Sequence, residues 1–273
     1  MIRVAAIQMA SGSNIAANLA EAEKQIEAAV AEGAEWVALP ENFGLVGVRQ
    51  EDVVAQAEAP GSGPIQDFLS ALARRLGIVV VGGTLPVRAD ESRYFNRLPV
   101  YDAEGRCIAH YDKIHLFDVS LPDADESYQE SAVIQPGNDV VVADVGGVKL
   151  GLAICYDLRF PELFRLLLDQ GAELFVLPSS FTSVTGQAHW HTLLRARAIE
   201  NLTAIVAPAQ GGFHVNGRET YGHSLIADAW GNILAEKPAG AGFALADINL
   251  EQQRQMRERF PVLRHRNFSV RTE

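Results

Sequence analysis

The sequence predicts an α/β fold built as a single domain. Short apolar runs of strand length alternate along the chain with longer stretches of helical periodicity. Several of these runs end at Pro or Gly and are followed by polar residues, which is typical of strands buried on both faces. No linker, internal repeat or low-complexity tract interrupts the 273 residues, so we expect residues 1–273 to form one domain.

Composition excludes several classes of partner. The net charge of −11 argues against nucleic acids and anionic membrane surfaces. No apolar stretch is long enough to span a bilayer, and the first residues alternate like a strand rather than a signal peptide. Two cysteines without a targeting segment predict reduced thiols. We therefore expect a cytoplasmic protein.

In the first half of the chain, strands and helices alternate and then give way to a hairpin. The predicted strands are 2–9, 36–39 and 78–81, and the predicted helices are 15–32 and 65–76. Strands at 97–102 and 106–111 flank the turn at 103–105. Cys107 lies in the second hairpin strand among alternating residues, so we expect it only to pack.

The second half continues this alternation around two irregular stretches. The predicted strands are 139–144, 147–154, 173–177, 203–207, 224–227, 233–235 and 243–248, and the predicted helices are 161–170, 188–201 and 250–259. Residues 118–137 are acidic and aperiodic, and we interpret them as a lid over a site. Residues 208–221 are a polar, Gly-rich loop. The last helix and the tail have few core residues, which fits docking on a neighbouring subunit.

Cys155 lies where an apolar strand meets the start of a helix at Pro161. At such an elbow, a side chain and the following backbone N–H both face a pocket, and a nearby helix N-terminus favours a thiolate. The alternative is a small buried hydrophobe, the commonest role of cysteine. This stretch alone leaves both interpretations open.

Two further reactive side chains come just after predicted strands. Glu41 directly follows Pro40, at a carboxyl end where open α/β sheets place their chemistry, although a solvated loop glutamate is commoner. Lys113 follows the hairpin. A lysine usually lies on the surface, so this position by itself indicates little.

Other hydrolytic or metal chemistry has weaker support. His189 and His191 are two residues apart on a helix and point about 200° apart, so they cannot share a metal ion as an i, i+4 pair does. Gly222-His223-Ser224 lacks the second glycine of a serine nucleophile elbow. We predict neither a metal site nor a serine hydrolase.

Three sequence blocks resemble the Glu, Lys and Cys motifs of the nitrilase superfamily of carbon–nitrogen hydrolases. They are Leu39–Phe43, Tyr111–Asp118 and Ile154–Glu162, in the same order and at comparable intervals. The resemblance covers nearly the whole chain. It implies a four-layer α-β-β-α sandwich that forms a homodimer, or a higher homo-oligomer, through a helical layer and often through the C-terminal segment.

The resemblance also implies a mechanism that needs no metal or organic cofactor. Cys155 attacks a small-molecule carboxamide after Glu41 has taken its proton, because a thiol is mostly protonated near neutral pH. Lys113 and the amide of Tyr156 stabilise the oxyanion. Ammonia leaves, and Glu41 activates the water that hydrolyses the thioester. Glu130 resembles the family's second glutamate, which helps to hold the lysine and the substrate.

The branch of the superfamily determines the expected substrate. True nitrilases tend to have Trp-Glu after the cysteine, whereas Tyr156-Asp157 favours an amidase. Segments 181–186, 188–190, 194–200 and 218–224 resemble the Nit-type branch, most of all its deaminated-glutathione amidases. One alternative is an ω-amidase acting on 2-oxoglutaramate or 2-oxosuccinamate, although the short 208–221 loop disfavours it. The other is a non-catalytic binding protein on the same fold.

The resemblance assigns three further substrate contacts. Arg159 is expected to clamp the carboxylate of an α-keto acid, since a guanidinium binds a carboxylate in a bidentate manner; the alternative is an arginine that caps a loop. Phe181 and Thr185 are expected to contact the substrate as well. Gln187 and His191 replace the Pro and Glu expected in near relatives, which leaves the fine substrate preference open.

Overall fold

A computed structural model describes residues 1–120 and 127–270. The α-helices are α1 (Ile15–Ala31), α2 (Gln50–Ala55), α3 (Pro64–Leu76), α4 (Pro161–Asp169), α5 (Ser183–Asn201) and α6 (Leu250–Arg259). Short 3-10 helices cover Glu130–Ala132, Cys155–Arg159 and Val262–His265. No helix in these two ranges is both long and apolar enough to cross a membrane.

The strands form two main sheets and two small hairpins. They are β1 (Ile2–Gln8), β2 (Trp36–Ala38), β3 (Val79–Val81), β4 (Leu85–Arg88), β5 (Tyr94–Tyr101), β6 (Cys107–Asp112), β7 (Asp118–Ser120), β8 (Ser127–Gln129), β9 (Val142–Val145), β10 (Val148–Leu152), β11 (Leu174–Val176), β12 (Ala204–Ala207), β13 (Gly211–Phe213), β14 (Glu219–Tyr221), β15 (Ser224–Ala227), β16 (Ile233–Lys237) and β17 (Gly242–Ile248).

Each main sheet has a parallel centre and antiparallel flanks. The first has the order β17-β1-β2-β3-β5-β4, with β6 also paired to β5, and the second has the order β16-β15-β12-β11-β10-β9. Strands β1, β2 and β3 are parallel, as are β10, β11 and β12. The loops that follow β2 and β10 carry Glu41 and Cys155, so the carboxyl ends of these strands position the two side chains.

The two sheets pack face to face between outer helices. Alternate residues of β1, such as Val4 and Ala6, share one buried core with Leu150 and Leu152 of the second sheet. The residues between them, such as Ala5 and Ile7, face the other way and pack with residues of α1 and α3. Helices α4 and α5 cover the outer face of the second sheet. The α-β-β-α layering implied by the sequence is therefore confirmed.

Helix α5 begins at Ser183, five residues before the predicted start at residue 188. The Thr182 side chain caps it by accepting a hydrogen bond from the Thr185 N–H at 3.3 Å. Gly186 obscures this start, because glycine usually ends helical patterns. Here it is needed for close packing, since a Cβ at this position would lie 2.3 Å from Tyr221.

Three other local predictions need correction. Within the predicted lid at 118–137, β7 and β8 pair as a small hairpin; residues 121–126 of that lid lie outside the described residues. The predicted loop 208–221 contains the hairpin of β13 and β14. Cys107 is exposed rather than packed: among the described strands β6 pairs with β5 alone, and both faces are uncovered at its start, where Ile108 is exposed as well.

Helix α6 docks on its own chain. Gln253 accepts a hydrogen bond from the Ala204 N–H at 2.8 Å and donates one to the Glu173 carbonyl at 2.7 Å. Arg257 donates to the Leu202 carbonyl at 2.9 Å. The idea that this helix and the tail also dock on a neighbouring subunit stays a prediction.

Candidate active site

Cys155 occupies a strained elbow between β10 and α4. Its φ of +43° is in the left-handed region, which costs a non-glycine residue on the order of 1–3 kcal/mol. The Cys155 N–H donates to the Pro178 carbonyl at 3.0 Å. Asp157, fully buried just beyond the elbow, accepts hydrogen bonds from the Ile154 N–H and the Tyr111 hydroxyl, both at 2.8 Å. These contacts fix the direction in which the thiol points.

Lys113 is buried between two carboxylates. Its Nζ lies 2.9 Å from Glu41 Oε1 and 2.8 Å from Glu130 Oε2. Burial alone would lower the pKa of Lys113, but the charges of Glu130 and Glu41 outweigh it and raise the pKa well above its usual value. The side chain is therefore an ammonium with its charge fixed in place. The sequence could not indicate this inward direction; the structure supplies it.

Asn96 and Phe117 hold the carboxylates from the other side. The Asn96 amide donates to Glu41 Oε1 at 3.0 Å, and the Phe117 N–H donates to Glu130 Oε2 at 2.8 Å. Sequence reasoning missed Asn96. A signal existed, because Asn96 lies at a buried position in the alternating pattern of β5, where an amide needs a partner.

The Cys155 thiol is protonated in the resting site. Burial raises its pKa well above the ordinary range, and the charge of Glu41 raises it further. Lys113, a backbone hydrogen bond from Ser180 and the charge of Arg218 lower the pKa but do not compensate. The expectation that a helix N-terminus favours the thiolate is wrong here. Helix α4 begins only at residue 161, and a 3-10 helix separates it from the cysteine.

One pocket brings together every side chain that the sequence predicted for the site. The predicted residues that line it are Glu41, Lys113, Glu130, Cys155, Tyr156, Arg159, Phe181 and Thr185. Tyr156 lies in the first turn of the 3-10 helix, where backbone N–H groups have no partner within the helix. The sequence reasoning missed four further lining residues, which are Phe117, Ser180, Thr182 and Arg218.

Two guanidinium groups face this pocket without a carboxylate partner in residues 1–120 and 127–270. Arg159 lies over the Phe181 ring, with Cζ 5.2 Å from its centroid. Arg218 donates to the Ser180 carbonyl, and its buried Nε has no hydrogen-bond partner among the described atoms. The pocket is thus suited to an anion. Arg218 lies in the predicted 208–221 loop and opens segment 218–224, which indicated the branch but assigned no binding role to this arginine.

A second cavity of about 240 Å³ adjoins the pocket. The two share Glu130, Ser180 and Arg218. Polar side chains such as Gln50 and Asn216 line the cavity farther from the thiol. A substrate longer than a single acyl group therefore has room to extend past Arg218.

One group of three potential metal ligands occurs in the described part of the chain. It comprises His191, His223 and Glu236, and none of these lines the pocket. The pocket carboxylates Glu41 and Glu130 are instead paired with the Lys113 ammonium.

Comparison with known proteins places this geometry in a family. A family profile described as Carbon-nitrogen hydrolase matches residues 3–258. The chain belongs to the carbon–nitrogen hydrolase family. Its membership of the nitrilase superfamily, predicted from three sequence blocks, is confirmed, and so is its class as an amidase.

This hydrolase has relatives that match along nearly its whole length. It is 43% identical over 269 residues to the deaminated glutathione amidase of Synechocystis, and the match covers 97% of each chain. It superposes with a TM-score of 0.87 and 31% identity on Saccharomyces cerevisiae Nit3, a member of branch 10 of the nitrilase superfamily, covering 98% and 97% of the two chains.

A third relative shows a modified cysteine. The hydrolase superposes on an amidase mutant from Nesterenkonia sp. AN1 with a TM-score of 0.79 and 26% identity, covering 95% and 99% of the chains. In that protein, acrylamide has undergone Michael addition at the active-site cysteine.

Proposed function

We propose that this hydrolase cleaves deaminated glutathione through a thioester on Cys155. The observation that carries the proposal is the single pocket in which Cys155 lies beside the buried Lys113–Glu41 pair and faces two guanidiniums. Deaminated glutathione has two carboxylates, one on its 2-oxo acid and one on its glycine. Relatives named for this activity, such as that of Synechocystis, support the same substrate.

In the acylation step, Glu41 takes the thiol proton as Cys155 Sγ attacks the amide carbon. A C–S bond forms and the carbonyl becomes an oxyanion. The Lys113 ammonium and the Tyr156 N–H stabilise this charge, and removal of one such donor typically costs about 10²–10³ in rate. Because the thiol has a raised pKa, the step depends on a base that acts as the bond forms.

Glu41 then gives its proton to the nitrogen, and the C–N bond breaks. A primary carboxamide releases ammonia here, whereas deaminated glutathione releases the amine of cysteinylglycine, because its 2-oxo acid is bonded to the cysteine nitrogen. Water replaces the amine, and Glu41 takes a proton from it. The hydroxide attacks the thioester and the C–S bond breaks. Glu41 returns its proton to the sulfur, which restores the thiol, and 2-oxoglutarate is released.

Glu130 keeps Lys113 in place without entering the covalent steps. Its carboxylate contacts Nζ with both oxygens, at 3.0 and 2.8 Å, and it is itself held by the Phe117 N–H. This second carboxylate offsets the ammonium charge, so Glu41 remains free to exchange a proton with Cys155.

The two arginines and the pocket wall select the substrate. Arg159 binds the carboxylate of the 2-oxo acid. It forms no ion pair within the described residues, so its charge is available to the substrate. Phe181, with its ring beneath that guanidinium, and Thr185, in the first turn of α5, form the wall beside it. Arg218 binds the glycine carboxylate, since it borders both the pocket and the adjoining cavity.

An ω-amidase is the second candidate, because Arg159 alone would satisfy the single carboxylate of 2-oxoglutaramate. The two functions differ in product: 2-oxoglutaramate yields ammonia, and deaminated glutathione yields cysteinylglycine. We expect kcat/KM to favour deaminated glutathione. A clear preference for 2-oxoglutaramate would move the assignment to the ω-amidases. A non-catalytic binding role is opposed by the amidase class of the chain.

We further propose that residues 1–273 act as one domain, in a cytoplasmic homodimer. Exposed apolar side chains support the dimer: Trp230 is 53% exposed and Phe260 49% exposed, with ring centroids 5.7 Å apart. Two free cysteines, one of them exposed, fit a reducing compartment. Light scattering tests the dimer, which a monomeric mass would contradict.

A further inference from the structure

Outside the pocket, three metal-ligating side chains from separate elements converge at one point. They are His191 on α5, His223 just before β15, and Glu236 on β16. Glu236 Oε1 lies 3.0 Å from His191 Nε2 and 2.5 Å from His223 Nδ1. The three ligand atoms all lie within 4.8 Å of one another.

The surrounding structure holds these side chains in place. The His223 backbone has a φ of +54°, and its carbonyl accepts a hydrogen bond from Trp190 Nε1 at 2.9 Å. Its ring stacks on that of Tyr221, with centroids 4.2 Å apart. Glu236 is fixed by the pairing of β16 with β15, opposite Leu225. The cluster therefore does not depend on flexible loop side chains meeting by chance.

The donor set matches the preferences of zinc. Two imidazole nitrogens and one carboxylate are a common set for Zn²⁺ with an open fourth position. Tetrahedral ligands about 2.0–2.1 Å from zinc are separated from each other by about 3.3 Å, so the cluster must open by less than about 1 Å between Glu236 and each histidine. The side chains of His191, His223 and Glu236 are 32%, 27% and 25% exposed, which leaves the fourth position to water.

The orientation of the ligand atoms also suits a cation. Glu236 Oε1 contacts one ring nitrogen of each histidine, so a single carboxylate oxygen points between the two rings. A divalent cation at this point would replace the hydrogens that the imidazoles now share with Glu236.

We propose that His191, His223 and Glu236 form a binding site for Zn²⁺ that is separate from the catalytic pocket. Tyr221 connects the site to the pocket wall. Its ring stacks on that of His223, and its N–H donates to the carbonyl of Phe181 in the wall at 3.0 Å. Bound metal would brace this wall without taking part in the hydrolysis.

Direct binding of Co²⁺ and Zn²⁺ to the full chain tests the proposal. The protein is prepared without a histidine tag, treated with chelator, and carries Cys155→Ala so that the pocket thiol cannot bind the probe. Co²⁺ is the spectroscopic probe, because it absorbs visible light strongly in a tetrahedral site. We expect one equivalent of Co²⁺ to give this absorption and Zn²⁺ to displace it.

Variants locate the binding. His191→Gln and Glu236→Gln should each weaken binding at least ~10-fold, since each removes one of three protein ligands. The matched control is His189→Gln, which removes an exposed histidine from the same helix and should leave affinity unchanged. Circular dichroism confirms that the variants fold.

Either of two results overturns the proposal. One is that less than half an equivalent of metal binds, whether Co²⁺ or Zn²⁺ is supplied at ten times the protein concentration. The other is an equal loss of affinity in the His189 and His191 variants. Because both readouts measure metal binding in a chain without the nucleophile, they are independent of the proposed amidase substrate.

Discussion

Lys113 Nζ and Glu41 Oε1 lie 2.9 Å apart, and the two side chains are only 1% and 2% exposed. A lysine so buried keeps its charge because Glu41 and Glu130 both face it. The ammonium is consequently a fixed positive charge rather than a base. In the proposed mechanism, Glu41 transfers protons and Lys113 stabilises the oxyanion, so the two roles are divided between two side chains in contact.

Replacing Glu41 with Gln should separate two effects of its charge. We expect kcat to fall by about 10²–10⁴, because the general base is lost. The pKa of Cys155 should nevertheless fall, since a like charge beside the thiolate is gone. The pH profile of iodoacetamide alkylation should therefore shift to lower pH in the variant. A kcat close to that of the wild type, or an upward shift of the profile, would contradict these assignments. Glu104→Gln, in the exposed hairpin turn, serves as the control.

Replacing Lys113 with Met should reduce both stability and activity. The buried Glu41 carboxylate and the partly buried Glu130 carboxylate would lose their counter-ion. Breaking a buried pair in this way costs about 3–5 kcal/mol in the free energy of unfolding. Denaturant unfolding measures this cost. Lys149→Met, which breaks an exposed pair with Asp144, should change stability by about 1 kcal/mol or less. If Lys113→Met and Lys149→Met lost similar amounts of stability, the charge of Lys113 would have no special structural role.

The two pocket arginines should differ in the substrates they affect. Arg159→Ala should lower kcat/KM for both 2-oxoglutaramate and deaminated glutathione by about 10–100-fold, as expected for a charge-assisted hydrogen bond of ~1.5–3 kcal/mol. Arg218→Ala should lower it mainly for deaminated glutathione, because only this substrate extends into the adjoining cavity. Arg106→Ala, on an exposed turn, is the control. Equal effects of Arg218→Ala on both substrates would exclude a role in binding the glycine carboxylate.

Asp157 should control the position of the nucleophile. In Asp157→Asn, an amide would replace the carboxylate that now accepts hydrogen bonds from the Tyr111 hydroxyl and the Ile154 N–H. An amide has only one acceptor oxygen, so we expect a loss of ~2 kcal/mol or more in stability and a lower kcat. Tyr111→Phe removes only one of these hydrogen bonds and should cost about 1 kcal/mol. If kcat stays constant in both variants while stability falls, the elbow does not depend on Asp157 for its catalytic geometry.

The sequence pointed to three residues that the structure places in one pocket, because their motifs are local. Glu41, Lys113 and Cys155 each lie within a short recognisable block, and strand ends indicate where chemistry occurs in α/β folds. Asn96 and Arg218 were missed because they reach the site from other parts of the chain. Asn96 lies outside every block that resembles the family, and Arg218 opens segment 218–224, which indicated the branch but no role for this residue. Only the packing of the two sheets and the hairpin of β13 and β14 brings them close to the cysteine.

Tertiary contacts also explain the local errors. Gly186 suggests a helix break, yet the helix continues through it because Tyr221 packs against its backbone. The alternation around Cys107 correctly predicted a strand, but not which face would be covered. His191 was judged with its neighbour His189, whereas its partners come from β16 and the residue before β15.

Acyl transfer to Cys155 is the central claim, and rapid mixing followed by intact-protein mass spectrometry tests it most directly. Wild type and Cys155→Ala are each mixed with deaminated glutathione, and release of cysteinylglycine is followed in parallel. We predict that the wild type carries a transient 2-oxoglutaryl adduct and releases cysteinylglycine. Cys155→Ala should show neither the adduct nor the release. Release of cysteinylglycine by Cys155→Ala at the wild-type rate would contradict the account.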